Sequence, residues 1–304
     1  MALNAQYDPL PLFDDEPISF PYEHRNGTLF CGDSILWLTT LGSETVDLIF
    51  ADPPYNIKKA EWDTFESQSA YIEWSLQWIS EASRILKPHG TLYVCGFSEI
   101  LADLKHPASQ YFQGCRWLVW HYKNKANLGN DFGRSHESIL HLRKSKQFTM
   151  NIDYLRVQYS SHTLKYPEHP QAETSQYGKS KENDKDRLWV PNPMGAKPKD
   201  VLEIPVTCNG SVESTPHPTQ KPEELVRKLV LASSNEGDML LDPFSGSGTT
   251  IVVAEQTGRK WLGCDISPEY NCYAVKRLQR VVRKTDEEWF WFDRENEERR
   301  KSNR

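Results

Sequence analysis

The 304-residue chain has no apolar run approaching the ~18 residues a membrane span requires, so nothing in it reads as a transmembrane segment. A cysteine framework is missing too. The six cysteines (Cys31, Cys95, Cys115, Cys208, Cys264, Cys272) are scattered without a C-x-x-C pair, which excludes a secreted disulfide scaffold and a zinc finger and points to a reducing compartment. The opening MALNAQYDPLPLFDDEP is acidic and broken by proline, unlike a signal or transit peptide. Internal repeats are absent, and so is an overall excess of positive charge, since 42 acidic residues outnumber 36 basic ones. What remains is the composition of an ordinary soluble enzyme, 38% hydrophobic and 26% charged, expected in the cytoplasm. The length allows one large domain with an insertion or two smaller ones.

The net charge conceals an uneven distribution. Residues 1–50 hold one basic residue, Arg25, and eight acidic ones, whereas residues 116–147 hold seven basic and two acidic ones. A solvated charged face accounts for such a stretch on charge alone, but a phosphate backbone responds to the local field rather than to the mean.

Short apolar runs at 27–33, 46–51, 90–97, 239–242 and 260–265 end in Asp, Gly or Pro and suit parallel strands covered on both faces. Between them lie helical patterns. Tyr71, Trp74, Trp78, Ala82 and Ile85 form one stripe of Ser67–Lys87, and Pro222 and Pro268 open two further helices. Alternation of strand and helix makes the class α/β. Arg116–Lys123 and Glu137–Arg143 read as an antiparallel pair around an Asn/Gly-rich loop. Residues 148–217 are polar and proline-rich, too long for a connection, and are expected to be an inserted subdomain. The tail 285–304 is charge-dense and is expected to fray, like the arm 1–24.

Two motifs carry chemistry. Asp52-Pro53-Pro54-Tyr55 stands at the carboxyl end of the run VDLIFA, where open α/β sheets place their ligands. Its prolines fix the backbone and remove two donors, so that a carboxylate, a free carbonyl and an aromatic ring are presented together. The second motif, Asp242-Pro243-Phe244-Ser245-Gly246-Ser247-Gly248-Thr249, joins a strand to a helix through a glycine turn that lets the backbone approach a ligand. Asp265 ends the next strand, 19 residues after Gly246, where a nucleoside-binding unit keeps its ribose acceptor. The third glycine of a dinucleotide fingerprint is replaced by Ile251, which disfavours a nicotinamide-dependent oxidoreductase. No metal site is expected, because His136 and His141 are five residues apart on one strand and point to opposite faces.

Together these residues resemble the beta group of S-adenosylmethionine-dependent DNA amino-methyltransferases. In that group the D-P-P-Y motif precedes the F-x-G-x-G motif and a target-recognition region lies between, the order found here in Asp52–Tyr55, residues 148–217 and Phe244–Gly248. The resemblance extends to Cys31-Gly32-Asp33-Ser34 and Thr219-Gln220-Lys221-Pro222, and so covers residues 25–284. It implies a circularly permuted, Rossmann-like class I methyltransferase fold with a mostly parallel sheet, an antiparallel hairpin and an inserted recognition subdomain. The catalytic half would be 25–147, the recognition insert 148–217 and the cofactor half 218–284.

The resemblance further implies transfer of a methyl group from S-adenosylmethionine to adenine N6 of a flipped-out base in double-stranded DNA, with cytosine N4 as the alternative on the same scaffold. Asp52 and the Pro53 carbonyl would accept the amine's hydrogens, and Tyr55 would stack on the base. The loop of Lys58, Lys59 and Trp62 would close over it. Asp265 would hold the ribose hydroxyls and Asp33 the adenine amino group of the cofactor. Gly246, Ser247, Gly248 and Thr249 would line its methionine end, Phe244 would lie by the sulfonium and Lys221 would meet the carboxylate. Lys123, Lys125 and Arg134 would contact DNA phosphates. Cytosine C5 chemistry is excluded because none of the cysteines follows a proline. The same resemblance implies a separately encoded restriction endonuclease as functional partner, and it allows a homodimer. A catalytically silent DNA-binding regulator is the remaining alternative, disfavoured by the presence of Asp52 and Tyr55.

Two outcomes follow. Asp52→Ala abolishes methyl transfer and leaves the cofactor dissociation constant nearly intact, as measured with labelled cofactor; a large loss of cofactor binding would remove Asp52 from the catalytic role. Asp265→Ala raises the cofactor dissociation constant, and an unchanged constant would undo the ribose assignment.

Overall fold

The computed structural model describes residues 18–59, 61–122, 130, 132–166, 169–170, 188–208 and 210–302. The first of the described elements form an antiparallel ribbon, β1 (Tyr22–His24) and β2 (Gly27–Cys31). Helix α1 (Ser34–Thr40) follows, capped by the Asp33 carboxylate, which accepts the Leu36 N–H at 2.8 Å. This cap ends the strand at Cys31 rather than at residue 33. The run VDLIFA is β3 (Val46–Ala51), and all six of its residues are buried, as a central strand requires.

Helix α2 (Gln68–Ile85) starts at Ser67, whose hydroxyl accepts the Ala70 N–H, and buries Tyr71, Trp78, Ala82 and Ile85 of the expected stripe. It passes directly into β4 (Leu86–Gly96), which is longer than its apolar core suggests. Helix α3 (Ser98–Ala108) leads to β5 (Gly114–His121), and β6 (His136–Arg143) returns antiparallel to it. Within the insert lie a short helix α4 (Ser161–Lys165), the two-residue strands β7 (His169–Pro170) and β8 (Leu188–Trp189), and β9 (Val201–Glu203). Residues 218–284 supply α5 (Glu223–Ser233), β10 (Met239–Asp242), α6 (Thr249–Gln256), β11 (Lys260–Asp265) and α7 (Pro268–Leu278). Helix α8 (Asp286–Ser302) is the last of the described elements.

Among the described residues, nine strands form one sheet in the order β1-β2-β11-β10-β3-β4-β6-β5-β9. From β2 to β4 the pairings are parallel, and β6 is reversed between β4 and β5. Strand β3, which leads into Asp52–Tyr55, and the glycine-turn strand β10 are therefore neighbours although nearly two hundred residues separate them, which is the permuted Rossmann-like arrangement. Leu48 and Phe50 of β3 and Tyr93 and Cys95 of β4 face α5, α6 and α7, while Ile49, Ala51, Leu92 and Val94 face α1, α2 and α3.

The insert is anchored to the main domain at both ends. The Asn151 side-chain amide donates to the Leu231 and Ser234 carbonyls at the end of α5, and β9 pairs parallel with β5. The tail expected over 285–304 does not fray over its described residues, 285–302, as its charge density suggests. Helix α8 buries Trp289 and Phe290 against the domain, and its Asp293 forms a two-point ion pair with Arg227 of α5 at 2.6 and 3.0 Å. Arg227 also lies over the Trp289 ring, and Arg300 grips Glu224 with two hydrogen bonds of 2.8 Å. The arm expected over 1–24 likewise contributes β1, and Ile18, Phe20 and Tyr22 pack on the core; its first 17 residues lie outside the described ones.

Because Arg227 and Asp293 are both about 95% buried, removing one partner strands a charge. Asp293→Ala is expected to lower stability by about 3 kcal/mol in chemical denaturation, whereas Glu295→Ala, which breaks an exposed pair with Arg299, changes it by less than about 0.5 kcal/mol.

Candidate active site

At the carboxyl end of β3 the chain turns through Asp52-Pro53-Pro54-Tyr55 into a cavity of about 810 Å³ that reaches across the sheet edge to β11. Both oxygens of Asp52 are engaged. Oδ1 accepts the Tyr55 hydroxyl at 2.7 Å, and Oδ2 accepts the Lys221 ammonium at 2.6 Å. Each carboxylate oxygen has a second lone pair, so both can still receive an amine hydrogen. Glu137 Oε2 lies 3.4 Å from the same Lys221 nitrogen and 3.3 Å from the Tyr55 oxygen.

Burial alone would pull the Lys221 pKa down, but the charges of Asp52 and Glu137 outweigh it and hold the ammonium above its usual range. Tyr55 is pushed well above its usual value by burial first and by the same two carboxylates second, so its hydroxyl remains a donor. The Tyr55 ring stands edge-on to Phe97 at 5.0 Å.

The loop after Tyr55 is organised by one buried side chain. The Asp63 carboxylate accepts the backbone N–H groups of Tyr55, Asn56, Ile57 and Lys59 at 2.6 to 3.2 Å. Four donors within five residues turned toward one carboxylate require unusual backbone, and Asn56 and Lys58 take positive φ. This clamp holds Ile57, Lys59 and Trp62 at the cavity rim, and the Lys59 ammonium donates to the Pro218 carbonyl.

Across the cavity, the glycine turn leaves β10 with Phe244 N–H donating to Asp242 at 3.0 Å. Burial pushes the Asp242 carboxyl up to about 7. Gly246 and Gly248 both have left-handed φ, 49° and 78°. A Cβ at Gly248 would lie 2.4 Å from the Ala274 Cβ, so this glycine lets α6 pack on α7. A Cβ at Gly246 would reach within 3.0 Å of the His217 ring, so the backbone there must stay bare for anything to pass between them. Asp265 Oδ2 accepts the Gly246 N–H at 2.8 Å and Oδ1 accepts Ser267 N–H at 2.9 Å, leaving one lone pair on each oxygen for a hydroxyl donor. Burial raises the Asp265 carboxyl above its usual value despite those bonds.

The structure brings Asp33, Asp52, Pro53, Pro54, Tyr55, Lys221, Asp242, Phe244, Ser245, Gly246, Ser247, Thr249 and Asp265 around the one cavity. Three placements differ from expectation. Lys221, expected at the cofactor carboxylate, is paired instead with Asp52 and Glu137. Gly248 faces α7 and does not line the cavity. Arg134, expected on phosphate, is held by Glu99 at 2.7 Å with its guanidinium 3.7 Å from the Phe97 ring centroid. Lys123 and Lys125 lie outside the described residues.

Phe244 is set against Trp74 and Trp78. Ser247 accepts two hydrogen bonds from Arg277, which also reaches Thr249 and Glu223. Sequence reading missed Glu137, Asp63 and His217. Glu137 was findable: β6 runs against β4, with Ser138 opposite Gly96, so the start of β6 must lie at the carboxyl edge.

The donor set fits a nucleoside cofactor carrying an amino-acid end: acidic acceptors at Asp265 and Asp33, a bare-backbone cradle at Gly246 and an apolar wall at Phe244. Comparisons with known proteins agree. The DNA methylase family of N6 and N4 methyltransferases matches residues 46–276. The type II methyltransferase M.HpaI of Haemophilus parainfluenzae is 36% identical over 257 residues, covering 82% of this chain and 73% of that protein. The DNA adenine methyltransferase YhdJ of Escherichia coli is 33% identical over 267 residues, covering 86% and 85%.

Among solved structures, the PvuII DNA methyltransferase, cytosine-N4-specific, aligns with a TM-score of 0.63 at 18% identity over 87% of this chain and 90% of that one. The Thermus thermophilus protein TTHA0409, complexed with S-adenosyl-L-methionine, aligns with a TM-score of 0.55 at 21% identity over 83% and 93%. From β3 through the glycine turn to α7, this chain belongs to the N6/N4 DNA methylase family.

Proposed function

We propose that the protein is a site-specific DNA methyltransferase that places the methyl group of S-adenosylmethionine on adenine N6. The observation that carries this reading is Asp52, a carboxylate fixed by Tyr55 and Lys221 on the wall of the cavity that also contains the Asp265 and Gly246 cradle. The cofactor supplies a methyl group on a cationic sulfur.

The chain's own residues do the rest. An exocyclic amine has its lone pair delocalised into the base, and acceptance of its two N–H groups by Asp52 and the Pro53 carbonyl redirects that pair toward the methyl carbon. As the N–C bond forms, the S–C bond breaks and its electrons stay on sulfur; nitrogen becomes cationic and then loses a proton to solvent. Catalysis is orientation and electrostatics.

Tyr55 and Phe97 offer aromatic surface for a base taken out of the duplex. Asp33 and Asp265 serve as acceptors for the cofactor's nucleoside, and Ser245, Ser247 and Thr249 border its amino-acid end. Lys123, Lys125 and Arg134 are offered as phosphate contacts, Arg134 exchanging Glu99 for phosphate. Residues 148–217 are assigned to reading the recognition sequence. That relatives are named type II methyltransferases, and one a DNA adenine methyltransferase, supports adenine as target and a separately encoded restriction endonuclease as counterpart. A homodimer in the bacterial cytoplasm, on the nucleoid, completes the reading.

Production of the protein in a methylation-deficient bacterium, followed by modification-sensitive single-molecule sequencing of that genome, is expected to reveal N6-methyladenine at one short motif. N4-methylcytosine at the motif would move the target base, and an unmodified genome would contradict the activity.

A further inference from the structure

We infer that Glu137 sets the electrostatic balance at the methyl-accepting end of the site, sharing the Lys221 ammonium with Asp52 so that the three side chains carry a net charge of minus one. The inference rests on the methylation reading and deepens it. Asp52 and Lys221 by themselves form a neutral pair. An ammonium 2.6 Å from the carboxylate occupies one of its lone pairs and offsets the negative charge that the remaining ones would offer the incoming amine.

Glu137 Oε2 lies 3.4 Å from that ammonium, with the Glu137 side chain 12% exposed and Lys221 7%. One carboxylate would suffice to neutralise a buried lysine. The second makes the cluster anionic in a place where charge interactions are strong. Among the described residues, Lys221 is the one cation within ion-pair distance of Glu137.

The reaction explains why an anionic cluster belongs there. During transfer the nitrogen lone pair forms the N–C bond, the S–C pair remains on sulfur, and positive charge moves from sulfur to the nitrogen resting on Asp52. A cluster of net charge minus one stabilises that nitrogen, and a neutral one does so much less.

Glu137 has a second part through Tyr55. The tyrosine hydroxyl has one hydrogen, given to Asp52 at 2.7 Å, and Glu137 is the other acceptor at 3.3 Å. When an amine hydrogen takes Asp52 Oδ1, the hydroxyl can turn to Glu137 without losing a buried bond. Glu137 thus acts through Lys221 and Tyr55 and is a positioning residue.

The test compares steady-state methyl transfer to duplex DNA by the wild-type chain, Glu137→Gln, Glu137→Asp and the double variant Glu137→Gln/Lys221→Met, with melting temperature recorded for each. Glu137→Gln keeps the shape and loses the charge; kcat is expected to fall 10- to 100-fold with the cofactor KM changed less than threefold. Glu137→Asp is expected to retain at least a third of wild-type kcat. The double variant leaves Asp52 alone, again at minus one, and is expected to be at least fivefold faster than Glu137→Gln.

Wild-type kcat in Glu137→Gln, or a fully folded double variant no faster than Glu137→Gln, overturns the inference. A drop in melting temperature that accounts for the lost rate equally in Glu137→Gln and Glu137→Asp also overturns it, because the role is then structural. Absence of transfer by the wild-type chain would instead overturn the methylation reading, a result visible before any variant is compared.

Discussion

The 2.6 Å contact between Lys221 and Asp52 ties together residues 169 positions apart, and the site's geometry depends on it. Lys221 precedes α5, and its own carbonyl accepts the Thr249 hydroxyl at the start of α6. Arg277 of α7 then holds Thr249, Ser247 and Glu223 in one buried cluster. An unbroken series of polar contacts therefore runs from the catalytic turn, through Lys221, to the glycine turn. Parallel pairing of β3 with β10 sets the coarse distance between the two motifs, and these side chains set the fine one.

Charge is distributed accordingly. Asp33, Asp52, Asp242, Asp265 and Glu137 surround the cavity, with Lys221 buried among them. Such a cleft suits a donor that carries positive charge on sulfur and an acceptor nitrogen that gains it. The acidic overall composition, unexpected for a protein that acts on DNA, follows in part from these site carboxylates. Arg134, paired with Glu99, sets one basic group against Phe97, whose ring lines the same cavity.

Much of this was legible in the sequence. VDLIFA could be read as a central strand because every residue in it is apolar except Asp47, which is itself buried on Lys87 and His89. Asp52–Tyr55 and Phe244–Thr249 could be placed at a common edge because strand–turn–helix order in an α/β sheet leaves ligands nowhere else. Partners across the cavity could not be read, since they depend on which distant segments meet. Lys221 was expected at the cofactor and is found on Asp52 for that reason. Gly248 looked like a cofactor residue and is a packing residue because Ala274 of α7 approaches it, a contact with no local signature. Helix α8 was obscured by its charge: only Trp289, Phe290 and Asp293 are buried, and three of its charged residues, Asp293, Glu297 and Arg300, pair with Arg227, Lys228 and Glu224 of α5.

The central claim is that Asp52 is where the acceptor amine and the donor's methyl carbon meet. A crystal structure of the ternary complex with duplex DNA containing the methylated motif and S-adenosylhomocysteine, the spent donor, tests it most directly. The account predicts an extruded base whose amine nitrogen lies within about 3 Å of an Asp52 oxygen, with the cofactor sulfur facing that nitrogen and the ribose on Asp265. A base amine held out of reach of Asp52, or a sulfur directed away from it, would contradict the account.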